Sequence, residues 1–313
     1  MLFRSENVAG KTFSSHEHTG LVEIVSQFVG PSGLRADHAC FGVAGAVING
    51  RCKATNLPWT VDSSELARLL GLNSVGLIND LEANANGIAA LQPHDFAVLN
   101  AGRPNLKGNQ AVISAGTGLG EAGLFWDGSQ HRPFACEGGH AGFTPRNEVE
   151  MALLRHLYSK MAYVDAEHTL SGPGLHNIYL FLKETRRGKE AKWLAEEMKH
   201  HDPSACISQA ALEGKDPMSV QALDIFVSIY GTEAANLALK VMATGGVFLG
   251  GGIAPKILNK LRDGRFLEAF LGNGSMKYLL EVIPVRVILN EKTALLGAAR
   301  AAASQPAVQA TQP

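Results

Sequence analysis

Five short apolar runs constrain this chain more than any other feature: residues 38–43, 75–78, 110–114, 246–249 and 282–289. Each is followed by glycine or a polar turn, the pattern of a strand reaching its end. Stretches of helical periodicity lie between them. Ser63 to Leu70 opens on Ser-Ser ahead of Glu65, which predicts an N-cap with acidic first-turn support. Glu148 to Met161 and Val220 to Met242 carry apolar residues at three- and four-residue spacing, as amphipathic helices do. Strand–helix alternation of this kind predicts layered α/β architecture. With 313 residues the chain is long enough for two domains and a sizeable core.

Charge narrows the function classes. Lys and Arg total 28 against 29 for Asp and Glu, so nothing calls for nucleic acid or a membrane surface. No apolar run reaches the ~18 residues of a membrane span, and the first residues lack the apolar core of a signal peptide. The cysteines Cys40, Cys52, Cys136 and Cys206 are scattered, with no C-x-x-C pair. That predicts reduced thiols and a cytoplasmic protein.

Two glycine clusters follow predicted strands. Ile113 to Gly120 runs a strand into Gly116-Thr117-Gly118, where main-chain N–H groups and a hydroxyl can approach phosphate oxygens. It is not a dinucleotide fingerprint, because the third glycine would fall at Glu121. A plain hairpin turn is the competing reading. Gly245 to Pro255 includes Gly250, Gly251, Gly252 and Ile253, and its thin backbone suits a planar ring such as adenine. Glycine-rich strand ends also serve packing alone. Gly10-Lys11-Thr12 imitates the end of a Walker A loop, but the upstream glycine position holds Ser5, so it reads as a chance match.

The polar residues suggest chemistry on a hydroxyl. Asp80 sits at the carboxyl end of a predicted strand, where open α/β sheets place ligands. A carboxylate there can accept a hydroxyl proton as the oxygen attacks a γ-phosphoryl group. Asn79 offers both a donor and an acceptor to a polyol. Glu137-Gly138-Gly139-His140 lets two polar side chains converge on a thin backbone, and no thiol or imidazole follows at zinc spacing. Glu167 precedes Ser171-Gly172-Pro173-Gly174, although Asp165 to His168 reads as a solvated stretch in isolation. A turn or cap for Asn79-Asp80 and a structural role for His140 stay open on the residues alone.

Taken in order, these motifs resemble the bacterial glucokinase family, the hexokinase-type ATP-dependent enzymes distinct from the zinc-containing repressor/kinase group. The matching segments are 55–59 (TNLPW), 77–80 (LIND), 115–120, 137–140 (EGGH), 167–175 (EHTLSGPGL), 236–239, 244–255 and 295–299. The resemblance implies an actin/RNase-H-like ATPase fold, with small and large α/β domains around a cleft. It implies a small domain over 1–90 completed by a C-terminal helix at 289–303, a large domain over 91–288 and a frayed tail over 304–313.

By the same resemblance, Asp80 is the base on the glucose 6-hydroxyl, and Asn79, Glu137, His140 and Glu167 hold other hydroxyls. Gly116, Thr117 and Gly118 form a phosphate loop, while Gly250 to Ile253 lie along the adenosine. ATP and Mg²⁺ are the implied cofactors, glucose the partner, and family members are often homodimers. The family also opens with a strand and a loop of the form Asp-x-Gly-Gly-Thr-Asn-x-Arg, which is absent here; Met1 to Arg4 resembles the strand that follows it. The chain is thus expected to start late, and a catalytically impaired sugar-binding remnant is the alternative expectation. A sugar-responsive regulator ranks last, for want of a DNA-binding helix pair or a zinc loop.

Overall fold

The computed structural model describes residues 9–32, 36–55, 57–103, 106–272 and 274–304. The strand expected at Met1 to Arg4, Ser5, Asn56 and the tail beyond Ser304 lie outside the described residues. The chain divides into two units, Met1–Gln92 with Asn290–Pro313, and Pro93–Leu289.

In the first unit, β1 (His38–Val43) pairs in parallel with β5 (Ser74–Asn79). The short strands β2 (Val47–Ile48), β3 (Arg51–Lys53) and β4 (Thr60–Asp62) form an antiparallel meander. The helix Ser63–Leu70 has the expected bounds but not the expected cap. Asp62 caps it, its carboxylate accepting from the N–H groups of Ser64 and Glu65. A carboxylate reaches two orphan donors of the first turn, so it displaces Ser63 from that role. Gly71, at φ 65°, ends the helix in the left-handed conformation.

The helix Asp80–Ile88 leaves the end of β5 and crosses the C-terminal helix Thr293–Ala303. The crossing depends on small residues. A Cβ on Gly297 would fall 1.7 Å from the Ala83 carbonyl oxygen, and one on Gly87 would fall 2.0 Å from that of Thr293. Two backbones come this close only where side chains are missing.

The second unit is built on a six-stranded mixed sheet in the order β6 (Phe96–Asn100), β11 (Val285–Ile288), β10 (Gly246–Gly250), β7 (Gln110–Ala115), β8 (Leu119–Trp126) and β9 (His131–Cys136). β7, β10 and β11 run parallel, and β10 is buried along its whole length. Covered strands of this kind read as unbroken apolar runs. The strand expected from Val282 to Leu289 is shorter than its apolar run. Lys277–Val282 is a helix, and the strand opens only after Pro284.

The helix Pro217–Val241 begins a turn before Val220, because buried Asp216 accepts from both Ser219 N and Oγ. It ends at Val241, with Met242 left-handed at φ 52°. The helix expected from Glu148 to Met161 stops at Tyr158, where Ser159 Oγ donates to the His156 carbonyl. Phe226, Tyr230, Phe266 and Phe270, all fully buried, form an edge-to-face and stacked series with centroids 5.9–6.2 Å apart.

Candidate functional site

Asn79 ends β5, and its side chain is committed on both sides. Oδ1 accepts from Leu81 N at 2.8 Å, making Asn79 the N-cap of the next helix, and Nδ2 donates to the Gly45 carbonyl at 3.1 Å. Asp80 is the first residue of that helix, and its Oδ1 accepts from Leu81 N at 2.9 Å. Both the cap and the strand-end carboxylate readings of this pair therefore describe the local structure.

In the second unit, Gly116-Thr117-Gly118 is the turn of the β7–β8 hairpin, closed by Gly116 N donating to the Gly118 carbonyl at 2.8 Å. The hairpin reading is thus correct as geometry, and it leaves the turn free to serve a ligand. Gly172 N donates to the Gly116 carbonyl at 2.8 Å, which brings up the helix Gly172–Glu184, capped by Ser171. Gly251, at φ 77°, lies so near β7 that a Cβ would be 2.3 Å from the Ala115 carbonyl.

A pocket of about 590 Å³ opens beside these elements, lined by Gly116, Thr117, Gly252 and Ile253 together with Gly172, Asp202, Ser204 and Lys256. Thr117 supplies a hydroxyl, Lys256 a cation, and the Gly172 helix its N-terminal end. Together they suit a phosphorylated ligand. Gly118, Gly250 and Gly251 support the walls rather than line the pocket.

Glu137, His140 and Glu167 are brought together by a main-chain ladder. Glu167 N donates to Gly139 O at 3.0 Å, Ala166 N to Ala141 O at 2.9 Å, and Phe143 N to Val164 O at 3.0 Å. Glu137 caps the short turn Gly138–His140. That turn lies on β8, since a Cβ on Gly139 would be 2.0 Å from the Leu119 carbonyl. Glu167 Oε2 accepts from Leu119 N at 2.8 Å, tying this group to the Gly-Thr-Gly hairpin.

The stretch Asp165 to His168 is not solvated as its composition suggests. Asp165 is 5% exposed and Ala166 2%, because the ladder folds them under residues 139–143. Asp165 Oδ2 accepts from His140 Nδ1 at 3.0 Å, and Oδ1 accepts from His168 N at 3.0 Å. That hydrogen bond to Asp165 holds the His140 imidazole above its ordinary value, with burial opposing and the charges of Glu167, Asp165 and Glu137 assisting.

Sequence reasoning missed Asp165, and it missed Glu121. The Glu121 side chain is 2% exposed on β8, and a Cβ on Gly138 would lie 1.9 Å from its Oε2. Burial, reinforced by the charge of Glu233 and partly offset by Lys240, raises its carboxyl to about 7. The available signal was a charged residue on a strand whose neighbours are otherwise apolar or glycine.

Known proteins are similar to this chain over most of its length. The family described as Glucokinase matches residues 3–305. A glucokinase of Nostoc sp. (strain PCC 7120) is 40% identical over 312 residues, covering 95% of this chain and 91% of the relative. One from Synechocystis sp. (strain PCC 6803) is 39% identical over 322 residues, covering 96% and 91%. The crystal structure of a glucokinase from an Antarctic psychrotroph superposes with a TM-score of 0.83 at 29% identity, covering 94% of this chain and 89% of that one. The two α/β units have the actin-like ATPase fold of the sugar kinases. On the extent of these matches, the chain belongs to the glucokinase family.

Proposed function

We propose that this chain transfers the γ-phosphoryl group of ATP to the 6-hydroxyl of glucose, giving glucose 6-phosphate and ADP. The observation that carries this reading is the link from Glu167 to the hairpin turn of the phosphate-suited pocket, within a chain of the glucokinase family. A residue bonded at once to a sugar-type cluster and to a phosphate turn can register both reactants.

In this reading Asp80 takes the proton from the 6-hydroxyl as that oxygen bonds to the γ-phosphorus and the bond to the β–γ bridging oxygen breaks. General-base help of this kind is worth ~10²–10⁴-fold. Asn79 sets the helix start that carries Asp80, and its remaining donor capacity serves a hydroxyl. Glu137, His140 and Glu167 bind hydroxyls. Gly116, Thr117 and Lys256 attend the phosphates, Gly252 and Ile253 flank the nucleoside, and Gly118, Gly250 and Gly251 form the backing of those walls. Mg²⁺, when bound, neutralises charge on the phosphates. The described residues offer no cluster of three or more His, Cys, Asp or Glu for a resident metal.

The test is an ATP-and-glucose phosphorylation assay with Asp80→Asn beside the parent chain. The expected result is a kcat loss of ~10²–10⁴-fold, with calorimetric glucose affinity within a few-fold of the parent. A variant that keeps most of its turnover removes Asp80 as the base. A parent that binds glucose but forms no glucose 6-phosphate removes the kinase reading and favours a sugar-binding protein.

A further inference from the structure

His140 is a half-exposed imidazole with one nitrogen already committed. Nδ1 lies 3.0 Å from Asp165 Oδ2, and Nε2 has no hydrogen-bond partner among the described residues. A carboxylate accepts only, so Nδ1 must carry the proton. The ring is then held in one tautomer, with Nε2 as the atom available to a ligand.

Asp165 is itself locked in place. It is 5% exposed, forms an isolated bridge with Gly142, and its Oδ1 takes the main-chain N–H of His168. His168 Nδ1 lies beside the same oxygen and accepts from Asp165 N at 3.3 Å, so residues 165 and 168 are tied to each other through main chain and side chain. Glu167, between Asp165 and His168 in sequence, is turned the other way, onto Leu119 N. The four residues from 165 to 168 therefore form a small brace in which Asp165 and His168 hold one side while Glu167 reaches to the β7–β8 hairpin.

From this geometry we infer that Asp165 is a positioning residue for sugar binding: it orients His140 through Nδ1, fixes its tautomer and presents Nε2 to a ligand hydroxyl. His168 steadies the second oxygen of the same carboxylate. Asp165 does not touch the sugar. This inference rests on the reading of His140 as a sugar contact, given above.

The groups that face the His140 ring are Asp165, Glu167 and Glu137, all acidic, so removing Asp165 takes away the one that bonds it directly. A charge-assisted hydrogen bond of this type is stronger than a neutral one. Its loss frees the ring to rotate and to change tautomer, which acts on glucose affinity more than on the phosphoryl step.

The experiment is a double-mutant cycle on the full chain, with glucose affinity measured by calorimetry without ATP. The four proteins are the parent, His140→Gln, Asp165→Asn and the double variant. Each single change is expected to weaken glucose roughly tenfold, and the double variant should be no weaker than His140→Gln alone. Equal, multiplying losses in the two backgrounds would overturn the positioning role. In parallel, ¹⁵N shifts of the His140 ring are followed against pH. Asp165→Asn is expected to lower its titration midpoint and abolish the preference for protonated Nδ1; an unchanged ring refutes the inference directly.

The two readings separate cleanly. If His140→Gln leaves glucose affinity intact while the ring shifts respond to Asp165→Asn, the sugar-contact reading is what fails. If His140→Gln weakens glucose but Asp165→Asn changes neither affinity nor ring, the positioning role fails. Asp165→Ser serves as the second variant, because its hydroxyl can still accept from His168 N and so preserves the turn.

Discussion

Single side chains in this protein often carry two obligations, and the buried carboxyl of Glu121 shows what that implies. It supports the Gly138 backbone from below, has an oxygen without a hydrogen-bond partner, and titrates near 7 rather than near its ordinary 4.5. The folded value is raised, so the neutral form is favoured in the fold. This group's contribution to stability is full below 4.5 and declines as pH rises through about 7. Glu121→Gln keeps the shape and removes the charge. It is expected to gain on the parent above pH 7 by up to roughly 3 kcal/mol, and to show no gain near pH 4. Urea unfolding of both proteins across that range checks this; a difference that stays flat with pH would show that Glu121 is not the group. The sequence alone left this residue as the misfit in a glycine fingerprint. Asp165 was hidden for a related reason: a run of polar residues reads as wet until a ladder from elsewhere in the chain covers it. Asn79 and Asp80, by contrast, were legible because a strand end and a helix start are local events.

At the level of elements, apolar period identified strands well where burial is continuous, as in Gln110–Ala115 and Gly246–Gly250. It failed from Val282 to Leu289 because a helix end and a strand start share one apolar run, and period cannot mark the change between them. The cap of the helix Ser63–Leu70 was misassigned because Asp62 just upstream reached the same N–H groups, and the helix start expected at Val220 was late because Asp216 caps it earlier. Also invisible in sequence is the crossing of the helices Asp80–Ile88 and Thr293–Ala303, since it joins distant parts of the chain. Gly297→Ala probes it. An alanine in a helix interior normally gains about 1 kcal/mol over glycine. Here its Cβ would meet the Ala83 carbonyl oxygen at 1.7 Å, and backbone cannot move aside as a flexible side chain can. Overpacking of this kind costs on the order of 3 kcal/mol, so the clash outweighs the propensity gain. Thermal unfolding should show a clear loss for Gly297→Ala; an unchanged or raised midpoint would mean that the helices do not approach as closely as described.

Over the whole molecule, the two units differ in what holds them. The second unit has a large apolar core that includes Tyr179, Phe181, Phe226, Tyr230, Phe266 and Phe270, each with no exposed surface. Among its described residues the first has a smaller cluster around Cys52, Val61, Leu66 and Leu77, with half-buried neighbours such as Phe41 and Trp59, beside the buried Ala83, Ala85, Ile88 and Ala298 of its helix crossing. Burial follows the same division: β7 and β10 are covered nearly throughout, whereas β1 has no fully buried position and β5 only one. Apolar area removed from water contributes about 25 cal/mol per Å², so the unit with the fuller core should open last. Local opening free energies range from near zero to the global value, in cooperative blocks. Residues 38–43 and 74–79 should therefore exchange their amide hydrogens through an earlier opening than residues 110–115 and 246–250. In rising sub-denaturing urea, exchange read by mass spectrometry should give two sets of opening free energies. A two-state description would then not apply to the full chain. A single set, with the same value and the same urea dependence in all four segments, would show that the units unfold as one and that the smaller core gains support from a source other than its own packing.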